Sequence, residues 1–441
     1  MSLVRTIRSA VMRRMADAKL RDRRRARAEH RRLRRQQPHE VWYFHQVDDP
    51  YSHLAAQVLR SFLERYDVLL RPRVVARPTP IAIHEKSLWE AWARRECAAL
   101  APYYGLTSHD RGREPEPQLV DLARRTLLAM EASAAFPEVA VAIGAALQRD
   151  DRKALEALAA QHGALAPAQA EPRLADSFAL RHRLGHYLGA MFYYAGEWYW
   201  GIDRLHYLEA RLDALAARRA GAPAGGSAVL HRRAPPTLES AQRMPLEFFC
   251  SLRSPYTHIA YDRVADLARR YPVDIVCRPV LPMMMRGVKA DRRKGQYILF
   301  DTKREADRLG VPFGNIWDPF GDPVRRAYSL FPWARDRGRG FEYLHSYSRA
   351  VWSERANAWN EPGLRAIVER AGLPWAEAAP RLDQRDWEAE MERNVQDMLA
   401  AGAWGVPTLR LPATATSPEF TVWGQDRIWV IEEELARRLG H

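Results

Sequence analysis

The chain reads as an α/β protein in which one plan is stated twice: strand, helix, strand, then a helical insertion, then a closing hairpin and final helix. Three observations predict it. First, "VWYFHQVDDPYSHLAAQVLRSFLERYDVLLRPRVV" aligns with "LEFFCSLRSPYTHIAYDRVADLARRYPVDIVCRPV", so that Pro50 and Pro255 stand 205 residues apart. Second, "GEWYWGIDRLHYLEARL" parallels "PEFTVWGQDRIWVIEEEL", each with a W-G-x-D-R turn before a closing helix. Third, "RAGAPAGGSAVLHRRAPPTLESAQRMP", rich in Gly, Ala, Pro and Ser, separates the two halves as an exposed linker. At 441 residues the chain also exceeds what one ordinary core accommodates.

Taken from the N-terminus, residues 1–37 form a basic extension. They hold thirteen Arg and one Lys against Asp17, Asp22 and Glu29, a net +11 of the chain's +14. The remaining body is therefore nearly neutral. No apolar run in this extension is long enough for a signal peptide or a membrane span. Val4, Ile7, Val11 and Met15 recur at helical spacing, which suits an anionic membrane surface, nucleic acid or a docking partner; the plain alternative is a solvated, partly helical tail.

Residues 38–218 are the first unit, 219–244 the linker, and 245–441 the second unit. In the second, Leu246-Glu-Phe-Phe-Cys predicts the first strand, and Pro255 suits a first helical turn because its missing N–H would be unpaired there. Ile259, Val264, Leu267 and Ala268 mark the apolar face of that helix. "VDIVCRPV" supplies the next strand, and strand-helix-strand predicts a parallel pair. About a hundred residues of helical pattern follow before the closing hairpin. Cys97, Cys250 and Cys277 stand far apart with no metal-ligand spacing, which argues for a reducing, cytoplasmic setting and for three buried small hydrophobes. No metal site is expected.

Three features qualify as site elements. Ser254 precedes Pro255-Tyr256-Thr257 at a strand-to-helix junction, where unpaired N–H groups and the helix dipole would stabilise a thiolate or carboxylate. A helix N-cap is the structural alternative for it. Val406-Pro407, inside "AWGVPT", is either an ordinary turn or, if cis, a loop offering the Val406 backbone to an extended ligand. Gln425 and Asp426 open the last helix, where Asp426 is either a capping carboxylate or a partner for a ligand's ammonium.

The order S-P-Y-T, G-V-P-T, G-Q-D-R resembles the 2-hydroxychromene-2-carboxylate isomerase and kappa-class glutathione transferase family. Its members are thioredoxin-fold proteins with an inserted helical domain, related to DsbA-type oxidoreductases. "RRKGQYILFDTKREADRLGVPFGNI" and "VWSERANAWNEPGLRAIVERAGL" extend the likeness through the C-terminal half. The resemblance implies two DsbA-like thioredoxin folds in tandem, each with an α-helical insertion. It implies glutathione as cosubstrate and a small aromatic or conjugated carbonyl compound as substrate. Ser254 would hydrogen-bond the glutathione sulfur as the catalytic residue, while Val406, Pro407, Gln425 and Asp426 would bind glutathione. Isomerase or transferase chemistry then needs no redox cofactor; the alternative is a non-catalytic thioredoxin-fold binding protein whose basic tail meets an anionic partner.

The departures are specific. The C-x-x-C thiols of the oxidoreductases are replaced by Ser254 and Thr257 in one half and by Asp49 and Ser52 in the other, so disulfide exchange by that route is unavailable. The family's loop asparagine has no counterpart in "LPMMMRGVKADRRK", and "PATATSPE" lengthens the closing hairpin. In the first half, Asp49 would repel a thiolate, and Gly189-Ala190 stand where Val406-Pro407 stand in the second. That half is expected to be a degenerate copy that either mimics a partner subunit, making the chain an internal pseudo-dimer, or is a site for some other ligand. Selectivity would come from the helical insertion, including Met283, Met284, Met285, Trp317 and Trp352, which are expected to be ordinary core or pocket-wall residues rather than a dedicated recognition set.

Overall fold

The computed structural model describes residues 3–79, 83–232, 237–240, 243–289 and 291–440. Two compact units divide the chain: Asp22–Arg233 is one, and Met1–Arg21 with Ala234–His441 is the other. Each is built on a four-stranded sheet.

In the first unit β1 (His39–His45) pairs in parallel with β2 (Val68–Val74), and in antiparallel fashion with β3 (Met191–Tyr194), which pairs with β4 (Glu197–Trp200). In the second, β5 (Met244–Cys250), β6 (Val273–Pro279), β7 (Thr408–Leu411) and β8 (Phe420–Trp423) repeat that scheme. The strand orders are β2-β1-β3-β4 and β6-β5-β7-β8. The parallel pairs are each joined through helix, as chain direction requires. Val41, Tyr43, Phe192 and Tyr199 sit in one core, and Leu246, Phe248, Leu409 and Val422 in the other.

The described residues of the linker are exposed or half-buried, none of them buried, and its early part is tied down by hydrogen bonds. Ser227 donates from both its backbone N (2.8 Å) and its hydroxyl (2.6 Å) to the buried Glu209 carboxylate, and His231 N donates to Tyr103 O at 2.7 Å. Its early part is thus pinned because a buried carboxylate needs donors. Residues 233–236, 241 and 242 of the linker lie outside the described residues.

The extension differs from a solvated tail. It forms α1 (Leu3–Met15) and α2 (Ala18–Arg34). Ser9 and Ala16 on α1 are buried. Ser9 Oγ accepts from Asp318 N at 2.9 Å, Arg8 pairs with the fully buried Asp318 at 3.0 Å, and Arg13 donates to Ile316 O at 2.9 Å. On α2, Arg25 grips Glu197 through two bonds of 2.6 and 2.7 Å. These arginines find partners because the body supplies a buried carboxylate and free carbonyls, which no composition count discloses.

Candidate functional site

β5 delivers the chain to Ser254, the N-cap of a helix that runs only from Pro255 to His258 before a break and a second helix, Tyr261–Arg270. The Ser254 hydroxyl accepts from Thr257 N at 3.1 Å and donates to Val406 O at 3.4 Å. So short a helix contributes little macrodipole, and the fixed positive end expected at Ser254 is correspondingly small. What remains is the hydroxyl itself: its acceptor side is committed, and its donor side is held by a long bond.

Val406–Pro407 is cis. Pro407 O then accepts from Gly424 N at 2.9 Å, so hydrogen bonds link Ser254, the Val406-Pro407 loop and Gly424 in one chain. Gly424 has φ 110°, and a Cβ there would lie 2.6 Å from Asp426 Oδ1, so both conformation and space demand glycine. Gln425 is 1% exposed, and its amide is already engaged: Nε2 donates to Glu305 at 2.7 Å and Oε1 accepts from Arg263. Burial lowers the Arg263 guanidinium to about 10 against the raising pull of Asp426 and Glu305. Asp426 is partly exposed, 3.6 Å from Arg427 Nη1. Of the four residues expected to hold glutathione, Gln425 therefore offers a side chain occupied within the protein.

Neighbouring groups add what the motifs did not single out. Trp404 and Trp423 meet with ring centroids 4.4 Å apart beside the cis-Pro loop, and a Cβ on Gly405 would lie 2.7 Å from Trp423 Nε1. The spacing W-G-V-P and W-G-Q-D carried that signal, since a residue without a side chain must stand where an indole packs. Arg253, next to Ser254, pairs with Asp318 at 3.0 Å, the carboxylate that α1 also grips. Tyr256 donates to Asp301 at 2.8 Å. Thr257 Oγ1, fully buried at the second C-x-x-C position, has no hydrogen-bond partner among the described residues. His258 bonds Pro312 O at 2.9 Å, and burial lowers it to about 4, so it stands neutral. Trp317 and Trp352 are core, while Met284 is exposed and Met283 and Met285 half-buried. "PATATSPE" bridges β7 and β8, where Ala195-Gly196 alone join β3 and β4.

In the first unit α3 (Pro50–Arg65) is a continuous helix capped by Asp49. Asp49 accepts from Tyr51 N (3.3 Å), Ser52 N (3.1 Å) and Ser52 Oγ (2.7 Å). Burial outweighs these bonds, and with Asp48 nearby the carboxyl rises to about 6. Ser52 Oγ accepts from Ala190 N at 2.8 Å, so here the fourth residue of the motif, rather than its cap, reaches the late loop. Gly201 N donates to Ala190 O at 2.7 Å, the counterpart of Gly424 to Pro407. A Cβ on Gly189 would lie 2.8 Å from Gln46 Cβ and 3.2 Å from Asp49 Oδ2; the loop closes onto Asp49 and leaves no room for a thiol ligand there.

A cleft of about 70 Å³ opens on another side of Asp49, lined among others by Asp48, His53, Arg77, Glu90 and Glu114. Ser254 does not line it. His53 is 2% exposed with neither ring nitrogen hydrogen-bonded among the described residues, and burial lowers it to about 4. Arg77 gathers the acids, pairing with Asp48, with Glu90 at 2.7 Å and with Glu114 at 3.1 Å. No cluster of metal-ligating side chains occurs among the described residues.

Residues 245–436 match the family model of the DSBA-like thioredoxin domain. Among solved structures, the chain is similar to 2-hydroxychromene-2-carboxylate isomerase at 20% identity, covering 44% of this chain and 96% of that one, with a TM-score of 0.37. A probable DsbA oxidoreductase from Streptomyces coelicolor matches at 19% identity over 45% and 91%, TM-score 0.35. The cytosolic disulfide reductase DsbM from Pseudomonas aeruginosa, solved with GSH, matches at 18% over 44% and 100%, TM-score 0.33. No curated protein sequence matches the chain. The C-terminal unit thus has a DsbA-like thioredoxin fold.

Proposed function

We propose that the C-terminal unit is a glutathione-dependent isomerase or transferase of the 2-hydroxychromene-2-carboxylate isomerase and kappa-transferase type. The observation that carries this reading is the Ser254 hydroxyl, whose acceptor side is fixed by Thr257 N while its donor side rests on a 3.4 Å bond to Val406 O. Turning that O–H onto a thiol sulfur costs one weak bond and stabilises the thiolate, whose free value is about 8.5. Glutathione as cosubstrate supplies a nucleophile that adds reversibly to a conjugated carbonyl compound, freeing the former double bond to rotate before elimination. The chain's part is to orient the thiol at Ser254, present the Val406–Pro407 backbone to the cysteinyl segment, and meet the γ-glutamyl end at Asp426. With Gln425 committed to Arg263 and Glu305, its role is to hold that corner rigid.

The matching strand orders, the paired Gly201–Ala190 and Gly424–Pro407 bonds, and the repeated W-G-x-D-R support a tandem duplication. Three free cysteines support a reducing, cytoplasmic setting. Calorimetric titration with glutathione tests the reading on wild type and Ser254→Ala. Tight binding by wild type with a thiolate absorbance that the variant lacks is the expected result. Wild-type binding weaker than about 1 mM would sink it.

One observation favours a second reading, a non-catalytic thioredoxin-fold binding protein: the cleft in the first unit, with an unpartnered, buried His53 on its wall. Glutathione binding that is indifferent to Ser254 would favour it.

A further inference from the structure

Helix α1 buries a mixed face and leaves a second apolar row in water. A surface helix ordinarily turns its apolar stripe to the core and its charges to water. Here the side facing the body carries Met12 and Met15, which with Ala16 pack on the core, beside Arg8, Ser9 and Arg13, which bind Asp318 and Ile316 O. Arg5 lies over the rings of Trp317 and Trp359 at 5.4 and 5.8 Å. The outward side carries Leu3, Val4, Ile7 and Val11, between 49% and 73% exposed. Together with Leu33 on α2, they are the five most exposed large hydrophobics among the described residues.

Helix α2 sorts its cations in a related way. Arg25 and Arg32 are bonded to Glu197 and Glu29. Lys19, Arg23, Arg27, Arg31 and Arg34, spaced three or four residues apart, are exposed and make no ion pair among the described residues. No helix among the described residues is long and apolar enough to cross a membrane.

We propose that the two helices of the basic extension each dock peripherally on an anionic lipid bilayer. The apolar row of α1 enters the interfacial region, and the unpaired cations of α2 meet acidic headgroups. Charge complementarity requires a polyanion, since residues 1–37 carry a net +11. The apolar row selects the bilayer over nucleic acid: phosphates would satisfy the cations but leave Leu3, Val4, Ile7 and Val11 in water, whereas a lipid interface accepts both. The inference is independent of the chemistry at Ser254.

The test is co-sedimentation of the full chain with phosphatidylcholine vesicles with and without phosphatidylserine. Binding is expected only with the acidic lipid and should weaken as salt is raised. Arg23→Ala/Arg27→Ala should reduce the partition about 30-fold, from roughly 1 kcal/mol per cation at the surface. Ile7→Glu/Val11→Glu should reduce it at least tenfold, and since both side chains are exposed, the thermal transition should stay in place as the control for folding. Equal binding to both vesicle types, or no response to either variant, overturns the proposal. So does binding of single-stranded RNA that needs Arg23 and Arg27 but ignores Ile7 and Val11, which makes the surface a nucleic-acid site. A self-association in solution that Ile7→Glu/Val11→Glu abolishes overturns it as well, because a second copy then covers the apolar row.

Discussion

Replacing Asp49 by Asn should make the protein more stable at neutral pH and leave it no better in mild acid. The buried carboxyl titrates at about 6 in the folded chain against an ordinary 3.8. The folded state therefore holds the proton more tightly than the unfolded state does. Its contribution is fully present below the unfolded value and is lost as pH rises through about 6, which amounts to roughly 3 kcal/mol by neutral pH. Asn has one acceptor oxygen in place of two: standing where Oδ2 was, it still accepts from Ser52 N and the Ser52 hydroxyl, but Tyr51 N loses its Oδ1 acceptor, at about 1 kcal/mol. The net expectation is a gain of roughly 2 kcal/mol near pH 7 and a small loss near pH 4. Buried His45, His53 and His258, lowered to about 3, 4 and 4, act with the opposite sign, weakening the fold as pH falls below their ordinary 6.5. They do so equally in both proteins and cancel in the difference. Urea unfolding followed by tryptophan fluorescence across pH, on the full chain, measures it. A stability difference between variant and wild type that is flat with pH would refute the reasoning, since it would mean that the three hydrogen bonds, and not burial, set the Asp49 titration.

The remaining expectations are shorter. Ser254→Ala should lower the proposed activity about 10²-fold through loss of the thiolate donor, while Asp49→Ala should change it less than about twofold; the reverse order would move the chemistry to the first unit. Gln425→Ala strips Arg263 and Glu305 of a shared buried partner and should destabilise the fold by about 1–3 kcal/mol in urea titration, with an effect under about 0.5 kcal/mol counting against a rigidifying role. Burial pushes Cys250 up to about 12, so it should not react with an aromatic disulfide reagent in the native chain near pH 8 and should react after unfolding, and it should label more slowly than the half-buried Cys277. Rapid native labelling of Cys250 would contradict its burial.

The sheet plan was legible because strand pairing and crossover leave local traces. The apolar run of β5, the Pro at a helix start, and W-G-x-D-R before a last helix are all short-range patterns. The same holds for Ser254 as a cap, since capping joins residues three apart. The site was legible only in part. Nothing local shows that Gln425 is wired to Arg263 and Glu305, 162 and 120 residues away. Nothing local shows that the Ser254 helix stops after one turn while α3, from the same motif, runs on.

The sequence by itself determined the repeated architecture, the replacement of both C-x-x-C thiols, and the concentration of charge in the first 37 residues, because composition and periodicity are properties of the chain. Tertiary structure decided which way those residues face. Arg8 and Arg13 of α1 turned inward with Met12 and Met15, and the row Leu3, Val4, Ile7 and Val11 turned out, because an amphipathic pattern says that two faces differ and not which one the body will bind. It decided likewise that Gly189 closes onto Asp49 while Val406 leaves the Ser254 hydroxyl a long, replaceable bond, since the approach of a loop to a helix more than a hundred residues distant is set by packing alone.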